Sequence, residues 1–391
     1  MKYNFDKVID RSGTSAEKVE GLKHIWGRTD LIPLWVADMD FATAPFVTDA
    51  IRKRCENEVL GYTGKPDSYY NAIINWVKPR YDLIVTKEVI NFVPGIVPGI
   101  GMAMNCFTQK GDKVMIQPPV YHPFAWVTTR NERTLVINPL RWENGMYRMD
   151  LDAFREQIKG CKLFILCNPH NPGGVVWTEA ELRAIADICY DEKVLVFSDE
   201  IHADLTLPPH THRPFATVSE KARMNSVTFM SPSKAFNMPG LSASHALIFN
   251  EDLRKRFRIY MDAGELDMGH VFAFLSVEAA YSHGTEWLDQ CLAYIQGNID
   301  FVDEFLKKHA PKIKAIRPEA SYLVWLDCRE LELSQKDLNE FFVDKAHLAL
   351  NDGEMFGKEG IGFMRLNVAS PRCIIEKAMK QLADAYQLYI K

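Results

Sequence analysis

The middle of the chain alternates between short apolar runs and longer amphipathic stretches. Seven of the runs have the length and composition of β-strands: Val89–Val93, Lys113–Gln117, Thr134–Asn138, Leu163–Cys167, Val194–Ser198, Ser226–Met230 and Ala246–Phe249. Helical patterns lie between several of them, and the stretch from Thr178 to Asp191 is one such pattern. There, Thr178 and Glu181 have the spacing of a capping box. Alternating strands and helices predict a mostly parallel, seven-stranded sheet that is covered on both faces.

The last third of the chain has a mainly helical pattern. Helices are predicted over Leu253–Arg258, Val271–Tyr281, Glu286–His309, Gln335–Lys345 and Pro371–Tyr389, and strands over Tyr322–Leu326 and Gly362–Asn367. A chain of 391 residues exceeds a single small core. We therefore expect a large α/β domain over residues 46–280 and a smaller α+β domain over residues 281–391, which the N-terminal segment 1–45 joins.

Composition and charge exclude some functions. Apolar residues make up 47% of the chain and charged residues 25%, which is ordinary for a globular protein. A net charge of −5 without charge runs argues against binding of nucleic acid or of an anionic membrane. Neither a signal peptide nor a run of roughly 20 apolar residues is recognisable. Eight scattered cysteines without a C-x-x-C pair indicate buried, reduced thiols, and thus a cytoplasmic protein without a metal site.

Polar clusters directly follow three of the predicted strands. Amides follow the first, a carboxylate follows the second, and hydroxyls and an amine follow the third: Asn168 and Asn171; Asp199; and Ser231, Ser233 and Lys234. Ligands of parallel sheets bind outside the carboxyl ends of the strands, so these clusters are candidates for one site. A further turn, residues 95–97, opens a helix, where backbone N–H groups and the helix dipole can hold a phosphate.

This combination suits a pyridine cofactor that carries an aldehyde. A lysine amine condenses with an aldehyde and, once a substrate amine has displaced it, serves as a general base. A carboxylate that faces the pyridine nitrogen keeps the ring protonated, so that it accepts the electrons of a carbanion. Singly, each feature has a plainer explanation: Asp199 could cap a helix, and Lys234 could be a solvated turn lysine. Together they are far more specific.

The order and spacing of these motifs resemble the class I/II aminotransferase superfamily. N-P-x-N-P-G is followed by D-E-I about 28 residues later and by S-P-S-K about 35 residues after that. The sequence is most similar to the branch of MalY/PatB-type carbon–sulfur lyases, which are cystathionine or cysteine β-lyases. The segments that carry this similarity are WVADMDF (35–41), LGYTG (60–64), PPVYHPF (118–124), SDEIHADL (198–205) and SPSKAFNMPGL (231–241). The resemblance implies a fold-type I enzyme with pyridoxal 5′-phosphate (PLP) as its cofactor.

The resemblance also implies a role for each matching residue. Lys234 would bind PLP as a Schiff base, Asp199 would pair with the pyridine nitrogen, and Asn171 would contact the phenolic oxygen. Tyr121 would stack on the ring, and it ranks behind Lys234 as the proton donor to a leaving sulfur. The phosphate would be held by Gly95, Ile96, Val97, Ser231, Ser233 and Tyr62. Since Tyr62 would come from a neighbouring subunit, a homodimer is implied.

The resemblance assigns the binding of the substrate to residues near both ends of the chain. Arg365 would bind the α-carboxylate as a bidentate fork, which lysine could not reproduce; a surface arginine is the plainer reading. Trp35 and Ala37 would line the same side. Selectivity for one thioether would depend on loops near Trp35 and His122 and on the second subunit.

Two departures from the aminotransferase pattern favour elimination over transamination. Aminotransferases usually carry tyrosine three residues after the pyridine-facing aspartate, whereas this chain has His202, as the lyase branch does. Many carry a phosphate-binding arginine where this chain has Ser242. We therefore expect β-elimination of sulfur amino acids to a thiol, pyruvate and ammonia. His202 would lie near the cofactor, on its substrate or phosphate side, and a structural role is the alternative for this residue. His210 and His212 lie beside prolines and fit a loop better than a metal site.

Two other functions fit the same fold. An aminotransferase would depend on a 2-oxo acid acceptor. A regulatory protein would act through contact with a transcription regulator, a role that some members of this branch combine with lyase activity. The intact set of Lys234, Asp199, Asn171 and Arg365 argues against a protein that acts by contact alone.

Overall fold

A computed structural model describes residues 3–389. Its α-helices are, in chain order, α1 (Glu17–Trp26), α2 (Pro45–Cys55), α3 (Asp67–Tyr81), α4 (Ile96–Phe107), α5 (Pro123–Arg130), α6 (Leu151–Gln157), α7 (Glu179–Asp191), α8 (Glu220–Met224), α9 (Glu251–Ala263), α10 (Val271–His283), α11 (Thr285–His309), α12 (Gln335–Glu340) and α13 (Arg372–Tyr389). A π-helical turn follows α12 directly, so the helix predicted over residues 335–345 changes its hydrogen-bond pattern part of the way along.

The strands are shorter on average than the helices. In chain order they are β1 (Ile32–Pro33), β2 (Ile90–Val93), β3 (Lys113–Ile116), β4 (Thr134–Ile137), β5 (Arg141–Glu143), β6 (Met146–Arg148), β7 (Cys161–Cys167), β8 (Leu195–Asp199), β9 (Ser226–Met230), β10 (Ser244–Leu247), β11 (Lys314–Ile316), β12 (Leu323–Asp327), β13 (Leu348–Ala349), β14 (Asn351–Asp352) and β15 (Phe363–Asn367). Short 3₁₀ turns lie between several of these elements.

Seven strands form the main sheet, in the order β2-β10-β9-β8-β7-β3-β4. Strands β4, β3, β7, β8 and β9 run parallel, and β10 is antiparallel to both of its neighbours. Both faces are covered: in β7, Leu163 and Ile165 enter one buried apolar cluster, while Phe164 and Leu166 enter another. The predicted mostly parallel, seven-stranded sheet is confirmed.

Strand β10 lies earlier in the chain than predicted. It begins at Ser244, two residues before the predicted Ala246. His245 pairs with Phe92 of β2 on one side and with Met230 of β9 on the other. A polar Ser-His pair reads as loop in the sequence, but pairing on both sides satisfies its backbone N–H and C=O groups and keeps it in the sheet.

Helix α7, which connects β7 to β8, begins at the predicted capping box. Thr178 Oγ1 accepts a hydrogen bond from the Glu181 N–H across 3.2 Å, and the Glu181 carboxylate accepts one from the Thr178 N–H across 2.8 Å. Leu182, Ile185 and Cys189 are buried on the inner face of the helix. The cap contributes about 1 kcal/mol and sets where the chain turns back towards β8.

A second, antiparallel sheet has the strand order β11-β12-β15-β14. Its strand β15 carries Arg365, which lies opposite Trp325 on one side and Asn351 on the other. Strand β1, from the N-terminal segment, pairs in parallel with β13, so that Ile32 lies opposite Leu348. The N-terminal segment thus contacts the C-terminal part of the chain, whereas the domain bounds 1–45, 46–280 and 281–391 stay predictions.

Three findings concern the chemistry expected from composition. Among residues 3–389, no helix has the length and apolar character needed to cross a membrane. Five of the eight cysteines are buried, Cys106 is half-buried, and Cys55 and Cys373 are exposed. The prediction of buried thiols is wrong for these two, because they lie on the solvent sides of α2 and α13. Over the same described residues, no cluster of three or more His, Cys, Asp or Glu side chains could hold a metal ion.

Candidate active site

Three neighbouring strands bring the predicted polar residues to one edge of the main sheet. Strands β7, β8 and β9 are adjacent and parallel, so their carboxyl ends lie side by side. Cys167, the last residue of β7, lies opposite Asp199, the last residue of β8. Asp199 in turn lies opposite Phe229 of β9. The loops that carry Asn171 and Lys234 leave the sheet just beyond this line.

A cavity of about 210 Å³ opens at this edge. Ten of the sequence-predicted residues line it: Ala37, Gly95, Ile96, Val97, Tyr121, Asn171, Asp199, His202, Ser233 and Lys234. The other four predicted residues, which are Ser231, Trp35, Arg365 and Tyr62, do not line the cavity itself. Residues that are far apart in the sequence therefore surround one enclosed space.

Asp199 lines the cavity with its carboxylate and is only 4% exposed. Its Oδ1 accepts a hydrogen bond from the Ile201 N–H across 3.1 Å. Burial raises the pKa of Asp199 to about 7, because the charged form loses its hydration, and the neighbouring Glu200 carboxylate adds to the rise. A cation placed beside Asp199 would stabilise its charged form, which is what a protonated pyridine nitrogen does.

Lys234 places its amine in the same cavity. Its Nζ donates a hydrogen bond to the main-chain oxygen of Ala37 across 2.5 Å. Removal from water lowers the pKa of Lys234 to about 8; Arg365 adds to the lowering, while Asp38 and Asp199 oppose it. More of this amine is neutral near pH 7 than of an exposed lysine, and the neutral amine is the form that acts as nucleophile or base.

The N-terminus of α4 forms another wall. Gly95 precedes the helix with φ of 131°, a conformation that glycine adopts without strain. The first N–H groups of a helix have no partner within the helix, and Ile96 and Val97 occupy this first turn. Together with the helix dipole, these groups form an anion site of the kind that holds a phosphate.

Two serines of the loop after β9 have different positions. Ser233 lines the cavity, and its N–H donates to the Ser231 Oγ across 3.1 Å. The Ser231 hydroxyl donates to the Ala243 main-chain oxygen across 2.8 Å. Ser231 therefore holds the loop in place through Ala243 and Ser233, and Ser233 is the one of the two serines that lines the cavity.

Tyr121 and His202 complete the polar lining. Burial raises the pKa of Tyr121 to about 12, and the Asp199 carboxylate adds to the rise, so the phenol keeps its proton. Burial lowers the pKa of His202 to about 3, with Lys234 and Arg365 adding to the lowering, so this ring is neutral. The His202 Nδ1 is buried without a hydrogen-bond partner among the described residues. An unpartnered buried nitrogen in a cavity wall suits a ligand that brings a polar atom.

Arg365 lies beside the cavity and is 4% exposed, so the surface-arginine reading is excluded. Its Nη1 donates to Asn171 Oδ1 across 3.1 Å, and its Nη2 donates to the Trp35 main-chain oxygen across 3.0 Å and also to Asn351 Oδ1. Within the described chain its Nε has no partner. The guanidinium is thus held in one orientation, and these three contacts leave two of its five N–H groups, on Nε and on Nη1, unused.

The Trp35 side chain points away from the cavity. Its Nε1 donates to the Lys18 main-chain oxygen across 3.0 Å, and its ring packs edge-on against Trp26. The main-chain oxygen of Trp35 is the part that reaches Arg365. Trp35 was predicted from its motif as a substrate-lining residue, and the contact it makes towards the site comes from its backbone.

Tyr62 lies in a segment without regular structure between α2 and α3 and is 98% exposed. Val59 and Leu60 of the same segment are also exposed. Tyr62 does not reach the cavity of its own chain, and its role in a neighbouring subunit stays a prediction.

Sequence reasoning missed three residues near the site. Asp38 influences the Lys234 amine, Asn351 contacts Arg365, and the Tyr322 hydroxyl donates to the Ala37 oxygen across 3.0 Å. Asp38 lies inside the WVADMDF motif, which was a signal that could have indicated it. Asn351 and Tyr322 lie in or next to short strands and carry no local signal.

An enclosed lysine and a buried carboxylate at the edge of such a sheet are the attributes of cofactor-dependent enzymes with the aminotransferase fold. The family model of aminotransferase class I and II matches residues 29–382. The chain belongs to this family.

Particular relatives make the assignment narrower. The chain is 38% identical to cystathionine beta-lyase PatB of Bacillus subtilis (strain 168), over 98% of this chain and 99% of that protein. It is 30% identical to protein MalY of Escherichia coli (strain K12), over 98% of each. The PLP-bound C–S lyase from Staphylococcus hominis superposes with a TM-score of 0.91 at 35% identity, over 99% of this chain and 98% of that one. The predicted similarity to MalY/PatB-type lyases is confirmed.

Proposed function

We propose that this chain is a PLP-dependent carbon–sulfur β-lyase that converts sulfur amino acids, such as cystathionine or cysteine, to a thiol, pyruvate and ammonia. The observation that carries the proposal is the convergence of Lys234, Asp199 and the Asn171–Arg365 pair around one cavity. The similarity to relatives described as cystathionine β-lyase and C–S lyase supports the same reaction. PLP, when bound, supplies an electron sink for the carbanion that forms at Cα.

The cavity residues fit this cofactor. Asp199 would hold the pyridine nitrogen, because a cationic partner relieves the cost of its buried charge. Lys234 would hold the aldehyde carbon through its amine. The phosphate would be held at the start of α4, residues 95–97, and by Ser233. Asn171 and His202 would then lie towards the phenolic oxygen, and Tyr121 would cover a face of the ring.

Arg365 would bind the α-carboxylate of the substrate. A guanidinium and a carboxylate match as two parallel N–H···O bonds, and burial strengthens both. The contacts to Asn171 and to the Trp35 oxygen keep Arg365 oriented before the substrate arrives, so less rotational freedom is lost on binding.

The free amine of Lys234 would then perform the proton transfers. It removes the proton from Cα and returns a proton to sulfur as the Cβ–S bond breaks, so that a thiol and 2-aminoacrylate are released. One water then converts 2-aminoacrylate to pyruvate and ammonia. Tyr121, whose raised pKa keeps its hydroxyl protonated, is the second candidate for protonating the sulfur.

Partners and location form a second part of the proposal. We infer a homodimer in which Tyr62 completes the phosphate site of the partner subunit, which the exposure of Tyr62, Val59 and Leu60 supports. A cytoplasmic location fits eight cysteines that form no disulfide. Contact with a transcription regulator stays a prediction that no structural observation favours.

The deciding experiment combines a spectrum with an assay. The purified protein should absorb near ~420 nm, as bound PLP does when it is linked to a lysine, and Lys234→Ala should lose this band. Cystathionine should then yield thiol, pyruvate and ammonia without an added 2-oxo acid. Lys314→Ala, which removes an exposed lysine paired with Glu330, is the matched control and should keep both properties. A reaction that waits for a 2-oxo acid acceptor would instead identify an aminotransferase.

A further inference from the structure

A short segment of main chain holds both Lys234 and Arg365. We call residues 35–41 the strap. The Trp35 oxygen accepts a hydrogen bond from Arg365 Nη2 across 3.0 Å, and the Ala37 oxygen accepts one from Lys234 Nζ across 2.5 Å. The carboxylate-binding arginine and the candidate base are therefore positioned by carbonyl groups two residues apart. The contact to Ala37 belongs to the free lysine amine, which is the form that acts as base.

Two asparagines, the buried Asn367 and the half-buried Asn237, fix the path of the strap. Asn367 Nδ2 donates to the main-chain oxygens of Val36 and Asp38, across 2.6 and 2.7 Å. Asn237 Nδ2 donates to the Met39 oxygen across 3.0 Å, and Asn237 Oδ1 accepts from the Met39 N–H across 3.0 Å. Asn367 ends β15 in the small sheet, whereas Asn237 follows the lysine loop of the main sheet. The strap thus bridges the two sheets through its backbone.

A cluster of four charges lies on the strap and on the segment before it. Lys18 Nζ lies 2.8 Å from Asp40 and 3.6 Å from Asp38, and Arg11 lies 2.6 Å from Asp38 and 3.1 Å from Asp40. The Lys18 side chain is fully buried, and the other three are between 13% and 23% exposed. Two cations balance two carboxylates, so loss of any one member leaves an uncompensated charge in a poorly hydrated place.

We propose that Asp38, held by Lys18 and Arg11, is a positioning residue for Lys234: it directly follows the residue whose carbonyl receives the amine, and its carboxylate places a negative charge on the side of the strap that faces that amine. The inference rests on the proposed lyase function, since it concerns the base of that reaction. The other charged or titratable groups that face Lys234 are Asp199, Arg365 and the neutral ring of His202, and the Tyr322 hydroxyl donates to the same Ala37 oxygen.

Electrostatics supports this role. Burial is the largest influence on the pKa of Lys234 and lowers it, and Asp38 comes next and raises it, ahead of Asp199. Asp38 is adjacent in sequence to Ala37, so its charge and the carbonyl that binds the amine move as one unit. Asp199 also raises the pKa of Lys234, but it lies at the end of β8 and is not part of the strap.

The charge balance makes opposite predictions for two substitutions. Asp38→Asn leaves the cluster with excess positive charge, so Lys234 should hold its proton less tightly. Lys18→Met leaves excess negative charge, so Lys234 should hold its proton more tightly. A purely structural role would reduce activity in both variants but would not shift the proton affinity of Lys234 in opposite directions.

The test is a pH titration of the holoenzyme absorbance near ~420 nm, which follows the proton on the Lys234 nitrogen. We expect the midpoint to fall by about one pH unit in Asp38→Asn and to rise by a similar amount in Lys18→Met. Lys18→Arg should restore the midpoint of the wild type. Lys314→Met, in an exposed ion pair, should leave it unchanged. Shifts in one direction for both variants, or no shift, would overturn the proposal.

A second measurement applies to variants that do not bind the cofactor, and a second variant applies if Lys18→Met does not fold. Reductive methylation of Lys234 in the full-length, cofactor-free protein, followed by peptide mass spectrometry across pH, reports the free amine directly. Arg11→Met replaces Lys18→Met if the latter does not fold, because the Arg11 side chain is 23% exposed, and it should shift the midpoint in the same direction. Neither readout requires cystathionine cleavage, so the charge proposal can hold even if the protein proves to be an aminotransferase.

Discussion

Arg365 and Asn171 are joined by a hydrogen bond of 3.1 Å between Nη1 and Oδ1, although 194 residues separate them in the chain. Arg365 belongs to β15 of the small sheet, and Asn171 belongs to the loop after β7 of the main sheet. The residue proposed to bind the substrate carboxylate is therefore oriented by a residue proposed to contact the cofactor. Substitutions at the two positions should not be additive, because each removes a partner of the other.

Replacing the guanidinium should weaken substrate binding more than it slows chemistry. Arg365→Lys keeps the positive charge but loses the bidentate geometry and the hold on Asn171. We expect KM for cystathionine to rise roughly 10–100-fold with a smaller fall in kcat, measured by steady-state release of pyruvate. Arg183→Lys, in an exposed ion pair with Glu179 on α7, is the control and should behave like the wild type. An unchanged KM would show that Arg365 does not bind the carboxylate.

The buried charge of Asp199 should destabilise the protein when the cofactor is absent. Its pKa in the folded state is about 7, above the ordinary value of 3.8, so the folded protein holds this proton more tightly than the unfolded chain does. Stability from this group is present at low pH and is lost as the pH rises through about 7. Cofactor-free Asp199→Asn should therefore be more stable than cofactor-free wild type at pH 8, by roughly 1–4 kcal/mol.

Urea denaturation of both proteins without PLP, at pH 5 and at pH 8, tests this expectation. The difference in free energy of unfolding should shrink towards pH 5, where the wild-type carboxyl is protonated. The same substitution should lower kcat of the PLP-loaded enzyme by two or more orders of magnitude, because the ring then lacks its charged partner. A variant that is less stable at pH 8 would contradict the electrostatic account of Asp199.

His245 should make the protein sensitive to mild acid. The side chain is fully buried, and both of its ring nitrogens lack hydrogen-bond partners in the described chain. Burial lowers its pKa to about 3, whereas the unfolded chain takes up the proton near 6.5, so stability falls as the pH drops below about 6.5. Between pH 7.5 and pH 5, the free energy of unfolding should therefore fall by about 2 kcal/mol less in His245→Leu than in the wild type.

Chemical denaturation at the two pH values measures this difference. His24→Leu, on the exposed side of α1, is the matched control and should retain the acid sensitivity of the wild type. An equal loss of stability with and without His245 would assign the acid sensitivity to other groups.

Tyr62 should act on the active site of the other subunit. Tyr62→Ala and Lys234→Ala should each be nearly inactive when purified alone. A hybrid dimer of the two would contain one site with both residues intact and one site with neither. Random mixing after reversible dissociation should therefore restore about one quarter of the wild-type activity. If Tyr62 served its own chain, no hybrid would contain an intact site, and mixing would restore nothing.

Most of the site could be predicted because its chemistry follows the ends of apolar runs. Asn171, Asp199 and Lys234 each lie just beyond or at the end of a strand that is recognisable from a few consecutive residues. The rule that parallel strands present their carboxyl ends to ligands was then sufficient to group them. The apolar pattern places the start of β10 two residues too late, since a polar pair such as Ser244 and His245 gives no apolar signal even when it is paired on both sides.

By itself, the sequence determined the α/β class, the strands that end in functional residues and the family to which the chain belongs. These follow from patterns a few residues long and from their order along the chain. The tertiary structure alone decided that the Ala37 and Trp35 carbonyls receive Lys234 and Arg365, and that the Asp38 carboxylate raises the pKa of that amine against the effect of burial. Such contacts join residues far apart in sequence, and the pKa of Lys234 depends on how deeply that packing removes it from water.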